Sequence, residues 1–305
     1  MNPSAITIGN FDGVHVGHQR LFREVVKAAQ GRGLTPAVLT FDPHPAHVVA
    51  PGRAPKLLTS IEERCALMRE QGIERVLVLP FTPEVAKLSP DEFVERVAVS
   101  MLDAKMIFVG ENFRFGYKQS GDTRALVELG RRFGFETDIV GAVKCRGRVV
   151  SSSLVRELIC AGNVALACRY LNRPYALSGD VVPGHGVGAR QTVPTLNLHT
   201  SAEVLPANGV YITRTRDLDS GRRWNSITNI GHRPTFGGGD LSIETFLLER
   251  AGGAAPARIR VECLRRVRDE RKFESPEALK AQIFRDIDRA AAYFRRMDHL
   301  RKSRG

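Results

Sequence analysis

Ile8-Gly9-Asn10-Phe11-Asp12-Gly13-Val14-His15-Val16-Gly17-His18-Gln19 joins two different hydrophobic patterns. Ile6 and Ile8 lead into it as an alternating apolar run. Leu21, Phe22, Val25 and Val26 follow it at helical spacing. The stretch therefore reads as a strand, a tight glycine-bearing turn and a helix N-terminus. Unpaired backbone N–H groups and the positive end of a helix dipole make such a junction an anion site. His15 and His18, three apart, add imidazole donors on one side, and Gly17 leaves room for a phosphate to reach the backbone. A cap or a surface feature explains two histidines at a helix start just as simply, so the pair needs support from the rest of the chain.

Working outward, the first half repeats the same alternation. Apolar runs at Ala37-Val38-Leu39-Thr40-Phe41, Val76-Leu77-Val78-Leu79, Met106-Ile107-Phe108-Val109 and Ile139-Val140 predict strands. Helices are predicted over Ile61 to Gln71 and Pro90 to Leu102, with Ser60 and Ser89 as N-caps. Alternating β and α predicts a parallel sheet with ligands at the carboxyl ends of its strands. The loops there carry chemistry-bearing residues. Phe41-Asp42-Pro43-His44-Pro45 is a rigid turn in which Asp42 and His44 either face a nucleotide or hold the turn. Gly110-Glu111-Asn112-Phe113-Arg114-Phe115-Gly116 sets aromatics around an Arg, which suits a flat phosphorylated ligand or a packed loop. Ser151-Ser152-Ser153-Leu154-Val155-Arg156 opens a helix, as a phosphate cradle or an ordinary serine cap.

A helix over Asn163 to Leu171 ends at Asn172-Arg173-Pro174. The domain boundary is placed there, giving 1–173 and 174–305. Beyond it the runs Tyr175 to Val182, Gly209 to Arg214, Trp224 to Ile230, Leu241 to Leu248 and Ala257 to Leu264 are closely spaced strands, as in a small antiparallel barrel. A last helix, Pro276 to Phe294, carries Leu279, Ile283, Ile287, Ala290, Ala291 and Phe294 at helical spacing and is expected to cover it. Gly184-His185-Gly186-Val187-Gly188 runs into Val193-Pro194-Thr195-Leu196-Asn197. The glycines suit phosphate wrapping or a hairpin. Thr195 and Asn197 share a face of an extended segment and could hold a metal or form a polar strand edge. Glu244, in Ser242-Ile243-Glu244-Thr245-Phe246-Leu247-Leu248, is a solvent-facing acid or a general base.

At 305 residues and 43% hydrophobic content the chain suits two globular domains. Its five cysteines are scattered, with neither C-x-x-C pairs nor metal-ligand spacing, which points to free thiols in a reducing compartment. No signal-like start and no long apolar run stand out, so a cytoplasmic protein without a membrane partner is expected. The net charge is +12. A basic balance fits either nucleic acid or anionic small substrates. With 7% aromatics and dispersed arginines, small substrates are expected and nucleic acid is not. Part of the excess, at Arg295, Arg296 and Arg301, is read as a solvated face.

Taken together, G-N-F-D-G-V-H-x-G-H-Q, F-D-P-H-P, G-E-N-F-R-F-G and S-S-S-x-V-R resemble, in order and spacing, the adenylyltransferase half of bacterial bifunctional riboflavin kinase/FAD synthetases. The second half carries P-T-x-N at Pro194 to Asn197, N-I-G-x-R-P-T-F at Asn229 to Phe236, and E-x-x-L-L from Glu244, like the family's kinase domain. The resemblance implies a Rossmann-like nucleotidyltransferase domain followed by a riboflavin kinase-like barrel. It also implies that ATP, riboflavin, FMN and FAD are substrates or products and that Mg²⁺ is required, with the protein a monomer or weak oligomer. In the first domain it implies catalytic His15 and His18. ATP would be bound by Asn10, Phe11, Asp12, Gly17, Asp42, Ser152, Ser153 and Arg156, and the flavin by Asn112, Arg114 and Phe115. In the second it implies ATP on Gly184, Gly186, Gly188 and Pro194, metal on Thr195 and Asn197, Glu244 as base, and flavin on Arg268, Glu270 and Phe273.

The chain departs from the family at Ser153, where Thr is usual. It departs further at Gly188-Ala189-Arg190-Gln191-Thr192-Val193, where G-R-x-L-G-F is usual, and at Glu249 to Pro256, which replaces an acidic Tyr-Gly turn. The altered glycine loop raises the alternative of an FAD synthetase with a weakened or lost kinase activity.

Overall fold

The computed structural model describes residues 2–183, 195–232, 241–249 and 254–303. The chain divides into two units, Met1–Leu154 and Val155–Gly305.

In the first unit β1 (Ser4–Ile8) leads into α1 (Val16–Arg32). After β2 (Thr35–Asp42) come α2 (Pro45–Val49) and α3 (Ile61–Glu70). β3 (Arg75–Pro80) precedes α4 (Pro90–Phe93), and β4 (Ala104–Gly110), α5 (Thr123–Phe133) and β5 (Glu136–Val140) complete the sheet and its cover. Every pairing is parallel and the strand order is β3-β2-β1-β4-β5. The chain changes direction across the sheet between β1 and β4, so the crevice for a ligand opens beyond the carboxyl ends of those two strands. Both faces of the sheet are covered, which is why its strands read as nearly continuous apolar runs. Ala5, Val38, Met106 and Phe108 pack on Phe22, Val25 and Ala29 of α1 and on Leu67 and Met68 of α3. Ile6, Ile8, Leu39, Ile107 and Val109 share the opposite core with Phe93, Val97, Leu126 and Leu129.

The predicted caps are present. Ser60 accepts from the Glu63 N–H, and Ser89 forms a reciprocal capping box with Glu92. The helix predicted over Pro90 to Leu102 is not a plain α-helix. After α4 it widens to π geometry over Val94–Val99, and the Ser100 N–H and hydroxyl both bond the Glu95 carbonyl five residues back. A small hairpin that apolar periodicity does not announce, β6 (Lys144–Cys145) with β7 (Arg148–Val149), follows β5. Arg146 and Gly147, both at positive φ, form its turn.

α6 (Ser152–Cys160) runs across the division, and α7 (Val164–Leu171) is capped by Asn163 and Asn172. The division falls at Leu154, ahead of the Arg173–Pro174 boundary read from sequence, because α7 packs on strands of the second unit. Those strands are β8 (Tyr175–Val182), β9 (Leu196–His199), β10 (Gly209–Asp217), β11 (Arg223–His232), β12 (Leu241–Leu247) and β13 (Arg258–Arg268). They close into an antiparallel barrel in the order β10-β11-β12-β9-β8-β13. The barrel interior carries a chain of buried hydroxyls. Thr215, Ser226, Thr213, Thr228 and Thr245 are linked at 2.8–2.9 Å, each hydroxyl serving as partner to the next. α8 (Pro276–Lys302) covers the outer face, where Ala290 and Phe294 meet Val210, Ile212 and Ile227 with Phe246 beside them.

Candidate functional site

The loop after β1 crosses the ligand end of the first unit in a strained course. Phe11 and Val14 lie at positive φ on either side of Gly13. A left-handed backbone costs a non-glycine residue on the order of 1–3 kcal/mol, so the surroundings must hold it. They do so through Asp12. Its buried carboxylate accepts from the Leu58 N–H, the Thr59 N–H and the Thr59 hydroxyl, at 3.0–3.2 Å. The Gly13 N–H donates to the Thr59 hydroxyl, and the Gln19 amide to the Val14 carbonyl. Phe11 turns into the core, edge-on to Phe22 and to the ring of His18. Asp12 and Phe11 thus hold the loop from inside.

His15 is the N-cap of α1. Its Nδ1 accepts from the His18 backbone N–H at 3.3 Å, so the neutral ring carries its proton on Nε2 and presents a donor there. The His15 and His18 rings stack with centroids 3.5 Å apart. Gly17 serves this pair first: a Cβ there would lie 3.0 Å from His15 Cε1. The two histidines therefore form one unit at the positive end of a long helix.

The loop after β2 meets the first. His44 Nδ1 accepts from the Ala46 N–H, capping α2, and His44 Nε2 lies 3.0 Å from the Asn10 amide. A neutral imidazole with Nδ1 accepting has its proton on Nε2, so Asn10 must turn its amide oxygen to it. Asp42 is exposed beside this contact. At α6, Ser151 is the cap, accepting from the Leu154 N–H, and the Ser152 hydroxyl donates to the Asp12 carbonyl. Ser152 ties the helix to the histidine loop, whereas Ser153 is exposed at the helix start. Arg156, one turn on, belongs to the second unit. In the loop after β4, Asn112 and Arg114 are exposed, and Arg114 lies 3.6 Å from Asp122. Phe115 is instead buried, packed on Phe93 and stacked on Phe113.

One residue with no place in the sequence reading is Arg64. It occupies the buried stripe of α3 with Cys65 and Met68 and is only 1% exposed. Nη2 donates to the Thr59 carbonyl at 3.4 Å, while Nε and Nη1 meet no acceptor among the described residues. Burial pulls its guanidinium down from its ordinary range, and the Asp12 and Asp42 charges push it back up. Its signal in the sequence is a cation at a helical position where the apolar period calls for a hydrophobe.

In the second unit, strand register brings the site together. Asn197 of β9 pairs with Glu244 of β12, and Glu244 pairs with Asn229 of β11. The row continues through Val210 of β10 to Arg268 of β13. Cross-strand partners share a face about 5 Å apart, so Asn197, Glu244 and Asn229 are side-by-side neighbours on the barrel's outer surface. All three are half-buried, and Thr195, just before β9, is exposed. Glu244 Oε1 accepts from the Ser242 hydroxyl at 3.0 Å. Glu270 stands over Gly231, where its Oε1 occupies the place a Cβ would take, and accepts from the Asn208 amide at 3.3 Å. Arg268 donates through Nε to Asp286 of α8 at 2.8 Å and shares the Phe273 ring with Arg271. Gln282 donates to the same Asp286 and accepts from Arg271. These two polar residues on the buried face of α8 hold the segment that carries Arg268 and Phe273. Gly184, Gly186, Gly188 and Pro194, with Arg233 to Phe236, lie outside the described residues. Among the described residues no group of three His, Cys, Asp or Glu could hold a metal ion, and no helix is long and apolar enough to cross a membrane.

Comparison with known proteins gives a family match to each half of the chain. A family model described as FAD synthetase matches residues 1–154, and one described as riboflavin kinase matches residues 171–294. The chain is 36% identical over 287 residues to a bifunctional riboflavin kinase/FMN adenylyltransferase of Pseudomonas fluorescens, covering 94% of this chain and 91% of that one. It is 35% identical over 290 residues to the protein of the same description in Escherichia coli K12, covering 95% and 92%. A solved structure described as a macrolide-efflux protein from Streptococcus pneumoniae superposes with a TM-score of 0.85 at 28% identity, over 94% of each chain.

Proposed function

The chain belongs to the bifunctional riboflavin kinase/FMN adenylyltransferase family, and from that premise we propose how its residues divide the work. The protein is a transferase that phosphorylates riboflavin to FMN and adenylylates FMN to FAD, and the domains for both reactions are present. The kinase domain is matched over residues 171–294 in spite of its altered glycine loop, so the kinase is not evidently lost.

In adenylyl transfer, an FMN phosphate oxygen attacks the α-phosphorus of ATP in line and pyrophosphate leaves. Such a reaction needs positioning and charge stabilisation more than a covalent nucleophile. The stacked His15 and His18, at the N-terminus of α1, donate to the phosphates. Asn10, Gly17, Asp42, Ser153 and Arg156 complete the ATP side. Phe11, Asp12 and Ser152 act by holding the loop, and Phe115 by seating Asn112 and Arg114, which receive the flavin nucleotide.

In the kinase reaction Glu244 takes the proton of the riboflavin 5′-hydroxyl as its oxygen attacks the γ-phosphorus, and ADP leaves. The adjacency of Asn197 and Glu244 on paired strands is the observation that carries this reading. Thr195 and Asn197 offer hard oxygen donors suited to Mg²⁺. Bound there with ATP, the ion would neutralise phosphate charge. Arg268, Glu270 and Phe273 form the flavin side, and Gly184, Gly186, Gly188 and Pro194 the nucleotide loop. The +12 charge is assigned to anionic substrates and not to nucleic acid, and the protein to the cytoplasm, as a monomer or weak oligomer.

The test is a flavin time course with riboflavin, ATP and Mg²⁺. FMN should appear first and FAD after it. His18→Ala should abolish FAD formation and spare FMN formation, and Glu244→Ala should abolish FMN formation from riboflavin and spare FAD formation from added FMN. Loss of both activities in either folded variant would overturn the two-site assignment.

A further inference from the structure

Glu244 is not left to find its own orientation. Two residues earlier on β12, Ser242 projects to the same face, since strand side chains alternate. Its hydroxyl donates to Glu244 Oε1 at 3.0 Å, and it is 8% exposed. Water therefore has little access to Ser242, so this hydrogen bond faces weak competition. Behind Ser242 the packing is close. Its register partner is Gly231, over which the Glu270 carboxylate lies. Along the other direction of the strand, Phe246 is packed beside α8. The serine thus stands on a face held at both ends by packed neighbours.

We propose that Ser242 is a positioning residue for phosphoryl transfer to riboflavin, acting by holding the Glu244 carboxylate in one orientation. The inference rests on the reading of Glu244 as the base. A glutamate has three side-chain torsions, and a base must present a lone pair to the proton within hydrogen-bond reach. Anchoring one oxygen removes much of that freedom before substrate arrives, which is where intramolecular positioning gains its rate. A positioning residue of this kind affects the chemical step more than substrate binding. It also matters only while the group it positions is present.

The experiment uses the full chain and measures FMN formation with riboflavin and ATP varied, alongside FAD formation from added FMN. Ser242→Ala should lower the kinase kcat by roughly tenfold, with both KM values within about twofold and FAD formation unchanged. Ser242→Thr keeps the hydroxyl and suits a strand, so it should recover most of the rate. Adding Ser242→Ala to Glu244→Gln should cost nothing beyond Glu244→Gln alone, because the serine works through the carboxylate. The proposal is overturned by an unchanged kcat in Ser242→Ala, by a loss confined to KM, by failure of threonine to rescue, or by additive losses in the double variant. If Glu244→Gln itself retains full kcat, the reading of the base fails instead, and that outcome is separate from a silent Ser242→Ala beside an inactive Glu244→Gln.

Discussion

Asp12 and Arg64 show how single buried charges hold the adenylyltransferase loop. Asp12 reads from sequence as part of an ATP-binding string, whereas Arg64 is given no role there. In the structure the carboxylate accepts three donors from the 58–59 turn, and the guanidinium lies under the same turn. Removing the carboxylate leaves those donors buried without an acceptor and Arg64 without one of its two neighbouring carboxylates. Asp12→Ala should therefore destabilise the protein by about 2–4 kcal/mol, and Asp12→Asn by less, because the amide oxygen still accepts. Denaturant unfolding measures this, and a wild-type midpoint for Asp12→Ala would remove the supporting role. The residue types at this site were legible in the chain, since His15, His18 and Asn10 lie in a spaced motif. The direction of each side chain was not. Phe11, Phe115 and Asp12 belong to the same strings as the solvent-facing residues, and only packing separates them.

At the level of elements, strand β11 illustrates what a glycine can mean in a strand. Gly231 does not need an unusual φ. It needs the absence of a side chain, because the Glu270 carboxylate occupies the place of a Cβ. Gly231→Ala should push Glu270 aside while leaving the barrel folded, since the atom that must move is the end of a flexible chain. The KM for riboflavin should rise roughly tenfold, about 1.4 kcal/mol, with FAD formation from FMN unaffected. An unchanged KM would mean that Glu270 does not serve the flavin. Most elements could be read from apolar period and caps, including both serine caps and the covering helix α8. Two could not. The π turn over Val94–Val99 depends on Ser100 returning to the Glu95 carbonyl, and the β6–β7 hairpin is too short to show a period.

At the scale of the whole molecule, burial sets a high-pH limit on the barrel. Tyr211 and Cys263 lie inside the barrel, and burial pushes each up to about 12 from ordinary values of 10.0 and 9.0. A raised folded value means the neutral form is favoured by folding. The contribution is complete below pH 9 and is lost as pH rises toward about 12. The barrel should therefore unfold in that alkaline window. Trp224, the single tryptophan of the chain, is buried in this unit and reports it by fluorescence. Cys263→Ala with Tyr211→Phe should move the transition to higher pH, and an unmoved transition would assign it to other groups. The sequence by itself determined the order of the two architectures, the loops that carry chemistry and the residue types in them. Those follow from local period, turn residues and motif spacing, which act between near neighbours along the chain. Only the tertiary structure decided that Asn197, Glu244 and Asn229 form one row, that Arg64 sits under Asp12, and that α7 belongs with the barrel. Register and burial are set by pairings between residues tens of positions apart, and a local pattern carries no record of which distant segment completes it.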